Sequence, residues 1–523
     1  QVSKTGVHGA VIHQALFEYD QASGLLKKEA SNPDEIALGY SKTYVRDVFG
    51  NITQSTIQPR NTSVQSRTDI STYDAKGRFL ATATNALAHT TTYAVRQTDG
   101  LLQSSTDANG ITTTYEYDSF GRCTAEITPT DTTRTLIAWS AGHPDAPPTA
   151  LYFTRTQTTG QPDVTAFADS LGRTVRTVTE NAFGQKVYTD VVYNAKGQVW
   201  KTSEPYFPGS TPAWTVNTYD AVGRLHTQTD AAGGTTTYAY HGHTTTVTDA
   251  LGHRTVRETD CHGNLIRSTD HEGGTVEYEY DVEGHCIQVT GPRTTISMEY
   301  DKRGNRTRID DPDLGVTTSV YNAYGELTSQ TDDKGTTTYA YDRLGRVTTE
   351  TRPDMTIFTV YDTRFKGAVS SDSASNGTAT HYYYDTYGRV VRQRQRIDSS
   401  YYYETKTSFD QQGHTDTLTY PNGLKVKYFY ADNGLLLGVR DASTQAIIWQ
   451  QNAQNARGQT LTETYGNGIT TQRTYDISGR TTAIATPGLQ NWTYAYDALG
   501  NLTSRCDQAR TMTEGFVYDT LGR

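Results

Sequence analysis

The sequence predicts an all-β protein, a continuous antiparallel β-sheet strip, and three observations carry that reading. The 523 residues include 37 Tyr and 90 Thr, residue types that suit a pleated, half-buried surface. Glu, Lys and Leu never align at i, i+3, i+4, i+7 over three turns, so no amphipathic helix is expected. Turn motifs instead recur about every ten residues, which leaves room for strands of roughly 20 Å between them.

The dominant motif is Tyr-Asp-x-x-Gly-Arg. It occurs as Tyr73-Asp74-x-x-Gly77-Arg78, Tyr117-Asp118-x-x-Gly121-Arg122, Tyr219-Asp220-x-x-Gly223-Arg224 and Tyr341-Asp342-x-x-Gly345-Arg346. Further copies are Tyr384-Asp385-x-x-Gly388-Arg389, Tyr475-Asp476-x-x-Gly479-Arg480 and Tyr518-Asp519-x-x-Gly522-Arg523. Variants that keep the frame begin at Tyr193, Tyr280, Tyr300, Tyr321, Phe409 and Tyr496, and from 280 to 361 the period is 20 or 21 residues. Halfway between copies lie further Asp-x-x-Gly strings such as Asp230 to Gly233 and Asp270 to Gly273, usually followed by Thr.

Each part of the motif has a physical reason. Asp favours the first position of a type I turn, where its carboxylate accepts the N–H two residues on, and Gly supplies φ > 0 at the fourth. The following Arg can cover a neighbouring Tyr ring or pair with the Asp. In Tyr115-Glu116-Tyr117 the two rings share one sheet face and the Glu takes the other. One face is therefore expected to be a tyrosine ladder, with each unit burying its rings only against its neighbours.

Along the chain, residues 1–128 hold degenerate repeats beginning at Tyr19-Asp20, and residues 169–523 hold the regular ~21-residue array. Between them, residues 129–168 carry Pro129, Pro144, Pro147, Pro148 and Pro162 and read as a Pro-rich insertion. A second break, 203–214, carries Pro205, Pro208 and Pro212. Because proline cannot donate to a central ladder, both stretches are expected to be loops or edge hairpins that leave the sheet.

Composition excludes several function classes. With 47 Lys+Arg against 57 Asp+Glu, a net charge of -10 and no basic block, nucleic acid is not an expected partner. The longest apolar stretch, 435–439, is interrupted by Gly438, far below the roughly 18 residues of a membrane span. No phosphate-binding loop, Gly-x-Ser-x-Gly or His-Glu-x-x-His string occurs. An active site is needed once and a turn at every hairpin, so the repeated Asp and Arg are expected to be structural. The chain is read as non-enzymatic and without a cofactor.

The four cysteines are too few for a disulfide framework. One local cluster holds His241, His243, His253, Cys261, His262, His271, His285 and Cys286. Alternate turns of a meander fall on one edge, which groups His241, His243, Cys261, His262, His285 and Cys286 on one side and His253 and His271 on the other. Same-edge turns lie about 9.6 Å apart, too far for a Cys261–Cys286 disulfide. Of this set His241, Cys261, His262, His285 and Cys286 are the metal-ligand candidates, and solvated turn residues are the expected role. Tyr382 to Tyr384 and Tyr401 to Tyr403 put rings on both faces, which suits packing or contact with sugars or proteins.

Phased Tyr-Asp-x-x-Gly-Arg copies from Tyr19-Asp20 to Arg523 resemble the YD repeat of the Rhs family, which includes bacterial Rhs polymorphic toxins, Tc-toxin components and animal teneurins. The resemblance implies a strip that spirals into a hollow shell, here an open or partial cocoon, enclosing a C-terminal toxic domain. It also implies a core with an Asp-Pro-x-Gly context that releases the toxin. The nearest string, Asp311-Pro312-Asp313-Leu314-Gly315, is one residue too long and is read as a turn. The chain lacks an initiator Met and ends inside a motif copy, so it is read as an internal segment without cargo or core protease. The expected partners are the chain's own C-terminal toxin domain, the remainder of the shell and cell-surface glycans, in a secreted or surface-delivered bacterial protein. A cell-surface adhesin or carbohydrate-binding YD-repeat protein is the alternative.

Overall fold

The structure, a computed structural model, describes residues 2–5, 11–398 and 401–523. Strands occupy more than half of the chain, 46 of them among the described residues, where no helix occurs. Strand follows strand in an antiparallel meander. Thr235–His241, for example, pairs Thr237 with Thr227 of Leu225–Thr229 and Tyr238 with Val247 of Thr244–Thr248. No helix among the described residues is long and apolar enough to cross a membrane.

Period-2 patterning explains these strands. In Thr275–Tyr280, Tyr278 and Tyr280 are half-buried while Glu277 and Glu279 are exposed. The abundance of Thr is also accounted for. At half-period turns facing Thr hydroxyls bond across the hairpin, at 2.8 Å for both Thr106–Thr112 and Thr331–Thr336 and 2.9 Å for Thr229–Thr235. Such cross-strand pairs are the local unit of sheet stabilisation.

The chain falls into two compact units, each made of two segments: Gln1–Glu116 with Val276–Thr405, and Tyr117–Thr275 with Lys406–Arg523. Inside each unit, turns 248 to 278 residues apart meet edge to edge. In the first, the Asn109 side chain and the Lys366 backbone exchange bonds of 3.1 and 2.8 Å, and Tyr324 donates to the Gln65 carbonyl at 2.9 Å. In the second, Asn433 donates to the Asn181 carbonyl at 2.7 Å and Arg457 pairs with Glu204 at 2.7 Å.

The expected insertion at 129–168 is corrected by the ladder. Thr132–Trp139, Tyr152–Thr158 and Val164–Ala168 pair in succession between Cys123–Ile127 and Thr174–Glu180, with seven residue pairs joining the first two. The prolines fall only in the connections around 129, 140–151 and 159–163, so no ladder donor is lost and the segments between them stay in the sheet. Only the 140–151 loop leaves it. That loop folds over the face where Phe153, Phe167, Val175 and Val178 form a buried core, and it adds Ala146 and Ala150 to it. Nor does 204–213 point away: Tyr206 exchanges backbone bonds of 3.0 and 2.9 Å with Tyr188.

Candidate functional site

The repeat hairpin is the site the sequence singles out, and the turn around Gly223 shows its construction. The Asp220 Oδ1 accepts the N–H groups of Val222 at 3.0 Å and Arg224 at 2.9 Å. Gly223 N–H donates to the Asp220 carbonyl at 3.1 Å, and Asp220 N–H to the Arg224 carbonyl at 2.9 Å. Gly223 has φ +94°, and the pairing register shifts between Thr218 and Tyr219. This is a type I turn closed by a G1 bulge, which needs a left-handed residue at the glycine. Arg224 Nε donates to Asp220 Oδ2 at 2.8 Å, and its guanidinium carbon lies 4.2 Å from the Tyr240 ring centroid.

The leading Tyr has a second task that its position alone did not reveal. The Tyr219 hydroxyl donates to the Val199 carbonyl at 2.7 Å, joining one hairpin to the preceding one. Tyr341, Tyr384 and Tyr475 do the same to Leu327, Val369 and Thr460 at 2.6, 2.6 and 3.0 Å. Replacing Tyr341 by Phe should therefore destabilise the chain by about 1 kcal/mol, the net value of one such bond plus the stranding of a carbonyl. Equal urea midpoints for the variant and the parent chain would contradict the tie.

The Asp–Arg clamp recurs at Asp118–Arg122, Asp342–Arg346, Asp385–Arg389 and Asp476–Arg480, with Nε–Oδ2 distances of 2.6 to 2.7 Å. The copy at Tyr73 differs. There Asp74 N–H bonds to the Phe79 carbonyl at 2.9 Å, one residue beyond Arg78, and Arg78 reaches Gln97 at 2.5 Å. Where Arg is replaced, the partner of the turn Asp remains a donor. His253, His285 and His414 lie 3.0, 2.9 and 3.1 Å from Asp249, Asp281 and Asp410, and Asn264, Asn305 and Asn501 donate at 2.9 Å. Where Asp becomes Asn the polarity reverses: Asn181, Asn194 and Asn455 donate to Gln185, Gln198 and Gln459 at 2.9 Å, and Asn322 donates to Glu326 at 2.7 Å. The fifth position is thus chosen to complement the first.

These contacts set the pH range of stability. Hydrogen bonds from Arg173 hold the Asp169 carboxyl below its ordinary 3.8, those from Arg346 do so for Asp362, and Ser443 and Thr444 bring Asp441 to about 2. A carboxyl that titrates lower in the folded chain contributes stability above the unfolded value and loses it as pH falls through the folded one. Burial, with the Asp145 and Asp190 carboxylates next, pushes the Tyr188 and Tyr206 phenols up to about 12. Their contribution is full below about pH 10 and lost as pH rises toward 12. Melting temperature should accordingly be flat between about pH 7 and 9 and fall on both sides, His381, whose pKa burial lowers from 6.5, adding to the loss on the acid side. A midpoint unchanged from pH 5 to 2.5 would refute the acid limb.

The histidine and cysteine candidates are used locally. His285 stacks on Tyr300, ring centroids 4.8 Å apart, while Cys261 Sγ lies 3.4 Å from His262 Nδ1 and Cys286 Sγ 3.5 Å from the Gln288 carbonyl. His241 sits beside the 241–244 turn, where it pairs with Thr244. His253 and His271 do share an edge, with rings 5.3 Å apart. All four cysteines are free, and among the described residues no three His, Cys, Asp or Glu side chains are grouped to hold a metal.

The sequence reading missed one polar group, under the 140–151 and 204–213 loops. Buried Asp145 accepts from Lys186 Nζ at 2.7 Å and the Tyr188 hydroxyl at 2.5 Å. Arg176 pairs with Asp190 at 2.6 and 2.8 Å and donates to the Asp145 carbonyl at 3.0 Å, and Tyr206 donates to Asp190 at 2.7 Å. The His143 ring packs 4.8 and 5.0 Å from Phe153 and Phe167, and its Nδ1 accepts the Asp145 N–H at 3.2 Å. A recess of about 210 Å³ opens beside His143, Asp145 and Lys186. Asp145 and Tyr206 sit on the loops and Lys186, Tyr188, Arg176 and Asp190 on the strands, so these bonds fasten the loops to the sheet.

Comparison with known proteins places this architecture. The family described as RHS Repeat matches at residues 98–133, 219–255, 260–296 and 321–355. No curated protein sequence matches the chain. Among solved structures, the crystal structure of TcdB2-TccC3-Cdc42 is similar at 15 % identity with a TM-score of 0.82, covering 98 % of this chain and 37 % of that one. TcdB2-TccC3 gives 17 %, 0.82, 98 % and 35 %, and a Photorhabdus luminescens Tc holotoxin pore gives 15 %, 0.83, 98 % and 36 %. This chain spans about a third of the length of those chains, and at such identities the likeness is one of fold. Its phased Tyr-Asp-x-x-Gly-Arg hairpins match the RHS Repeat model at four places, and its fold is the one seen in these solved structures.

Proposed function

We propose that the chain is a non-enzymatic wall segment of a large bacterial Rhs-type protein, secreted or delivered to the cell surface, that encloses a C-terminal toxic domain. One observation carries the reading: within each unit, hairpin turns of two distant segments are bonded edge to edge. A strip whose turns are fastened to each other has its lateral edges covered, as a barrier requires and as a free binding surface does not. The fold shared with TcdB2-TccC3 supports the same reading. The repeat's Asp, Arg and Tyr are already committed to one another, consistent with a structural role.

Limited proteolysis of the gene product containing this chain tests the proposal. The region C-terminal to the repeats should resist protease under native conditions and become sensitive once the repeats are unfolded at low pH. Equal sensitivity in both conditions would remove the container function. Selective retention on immobilised glycans, combined with an unprotected C-terminus, would establish the adhesin reading instead.

A further inference from the structure

The face opposite the tyrosine ladder changes character in one part of the first unit. Elsewhere in that unit it carries acidic and neutral residues such as Glu277, Glu279, Ser297 and Glu299, with isolated basic residues beside an acidic one, as in Arg308 opposite Glu299 and Lys28 opposite Glu18. In Val390–Arg396, however, Arg392, Arg394 and Arg396 occupy alternate positions, while Gln393 and Gln395 face the other way opposite Tyr382 and Thr380. Register places Tyr383, His381 and Ala379 directly beside the three arginines. Alternate residues of a strand lie about 6.6 Å apart on one face, so three arginine side chains leave the strand in a row at that pitch.

The row is held in place. The Arg392 guanidinium carbon lies 4.7 Å from the Tyr383 ring centroid, Arg394 is 4.5 Å from that of Tyr402, and Arg364 approaches Tyr383 from the other side at 4.2 Å. Arg396 Nε donates to the Gly377 carbonyl at 2.7 Å. Contact with the rings restrains the guanidinium groups, and the Arg392 and Arg394 side chains stay 37 % and 34 % exposed. Glu404 lies 2.6 Å from Arg392 and 3.5 Å from Arg394, so one carboxylate is shared between two of the guanidinium groups. The Glu404 contact is to the Arg394 Nε, which is buried and makes no hydrogen bond among the described residues. Burial first, and then the charges of Arg364, Arg394 and Arg396, lower the His381 pKa. On the same rows, Val360 and Phe358 stand 43 % and 45 % exposed.

We propose that this arginine row is a docking surface for an extended acidic polypeptide segment. An extended chain repeats its side chains on one face at the same ~6.6 Å, so Asp or Glu at alternate positions can meet successive arginines. Apolar residues of the same partner would cover Phe358 and Val360. On a chain with net charge -10, a basic patch of this kind is selective for an acidic partner and for one place on the surface. The proposal does not depend on the container function, and the two fail separately.

A fluorescent dodecapeptide alternating Glu and Ser, titrated against the full chain at low salt and followed by anisotropy, tests it. Binding should weaken at least tenfold in the triple variant R392Q/R394Q/R396Q and tighten several-fold in Glu404→Gln, with affinity falling as salt rises. Far-UV circular dichroism confirms the fold of the triple variant; if it unfolds, Glu404→Gln decides the matter. No peptide binding at low salt, an unchanged affinity in the folded triple variant, or no tightening in Glu404→Gln overturns the proposal. A sulfated oligosaccharide or a twelve-nucleotide single strand that binds more tightly than the peptide also overturns it, by assigning the patch to another class of polyanion.

Discussion

Replacing Phe167 by alanine should destabilise the second unit by about 3–5 kcal/mol, the range for truncating a buried aromatic side chain to Ala. Most of the sheet is only half-buried, so few side chains carry a loss of that size. Phe167 is 0 % exposed, with its ring 5.6 Å from Phe153 and 5.0 Å from His143, and the 140–151 loop closes over it. Truncation opens a cavity that the ladder on one side and the ion-paired loop on the other cannot collapse to fill. Phe120, 81 % exposed at a turn, is the internal comparison. Its change to Ala should shift the urea midpoint by less than about 0.5 kcal/mol equivalent. If the two variants shift alike, the core assigned to this stretch is wrong.

The second large effect concerns a glycine at the seam of the second unit. Gly434 has φ +82°, and a Cβ there would lie 2.0 Å from the carbonyl oxygen of Gly160. Next to it His414 Nε2 lies 2.7 Å from the same carbonyl, so the backbone at Gly160 is held from two directions. Gly434→Ala therefore combines the usual penalty for an L-residue at positive φ, about 1 kcal/mol, with displacement of a fixed backbone. Gly263, φ +89° with open space around its Cβ position, isolates the first term. Gly263→Ala should cost about 1 kcal/mol and Gly434→Ala clearly more. Faster proteolysis near residues 160 and 434 should accompany the larger loss. Equal midpoints for the two variants would show that the seam is not closed there.

The turn chemistry was legible because it is short-range. Asp220, Gly223 and Arg224 meet whatever the rest of the chain does, since the contacts join residues two and four apart. The same holds for the turn at Asp311, whose Oδ1 accepts the Asp313 N–H at 2.9 Å with Gly315 at φ +78°. The 129–168 stretch was misread because its prolines were weighed above the alternation of Thr132–Trp139 and Tyr152–Thr158. Proline excludes a residue from the ladder; it says nothing of the residues six places away. The Tyr hydroxyl tie was hidden for another reason. It reaches back 14 to 21 residues onto a backbone carbonyl, an acceptor every residue type supplies, so no side-chain signature marks it.

By itself, then, the sequence determined the hairpin turns and the ladder face, both of which follow from periodic contacts within one or two repeats. Only the tertiary structure decided which turns become neighbours: Gly160 with His414, Asn181 with Asn433, Asn109 with Lys366. It also decided that the two proline-bearing loops converge on Asp145, Arg176 and Asp190. Those pairings depend on twist and curvature accumulated over about a dozen repeats, where small angles sum to a large displacement. They are made by residues that do not repeat, so a motif that recurs every 20 or 21 residues contains no record of them.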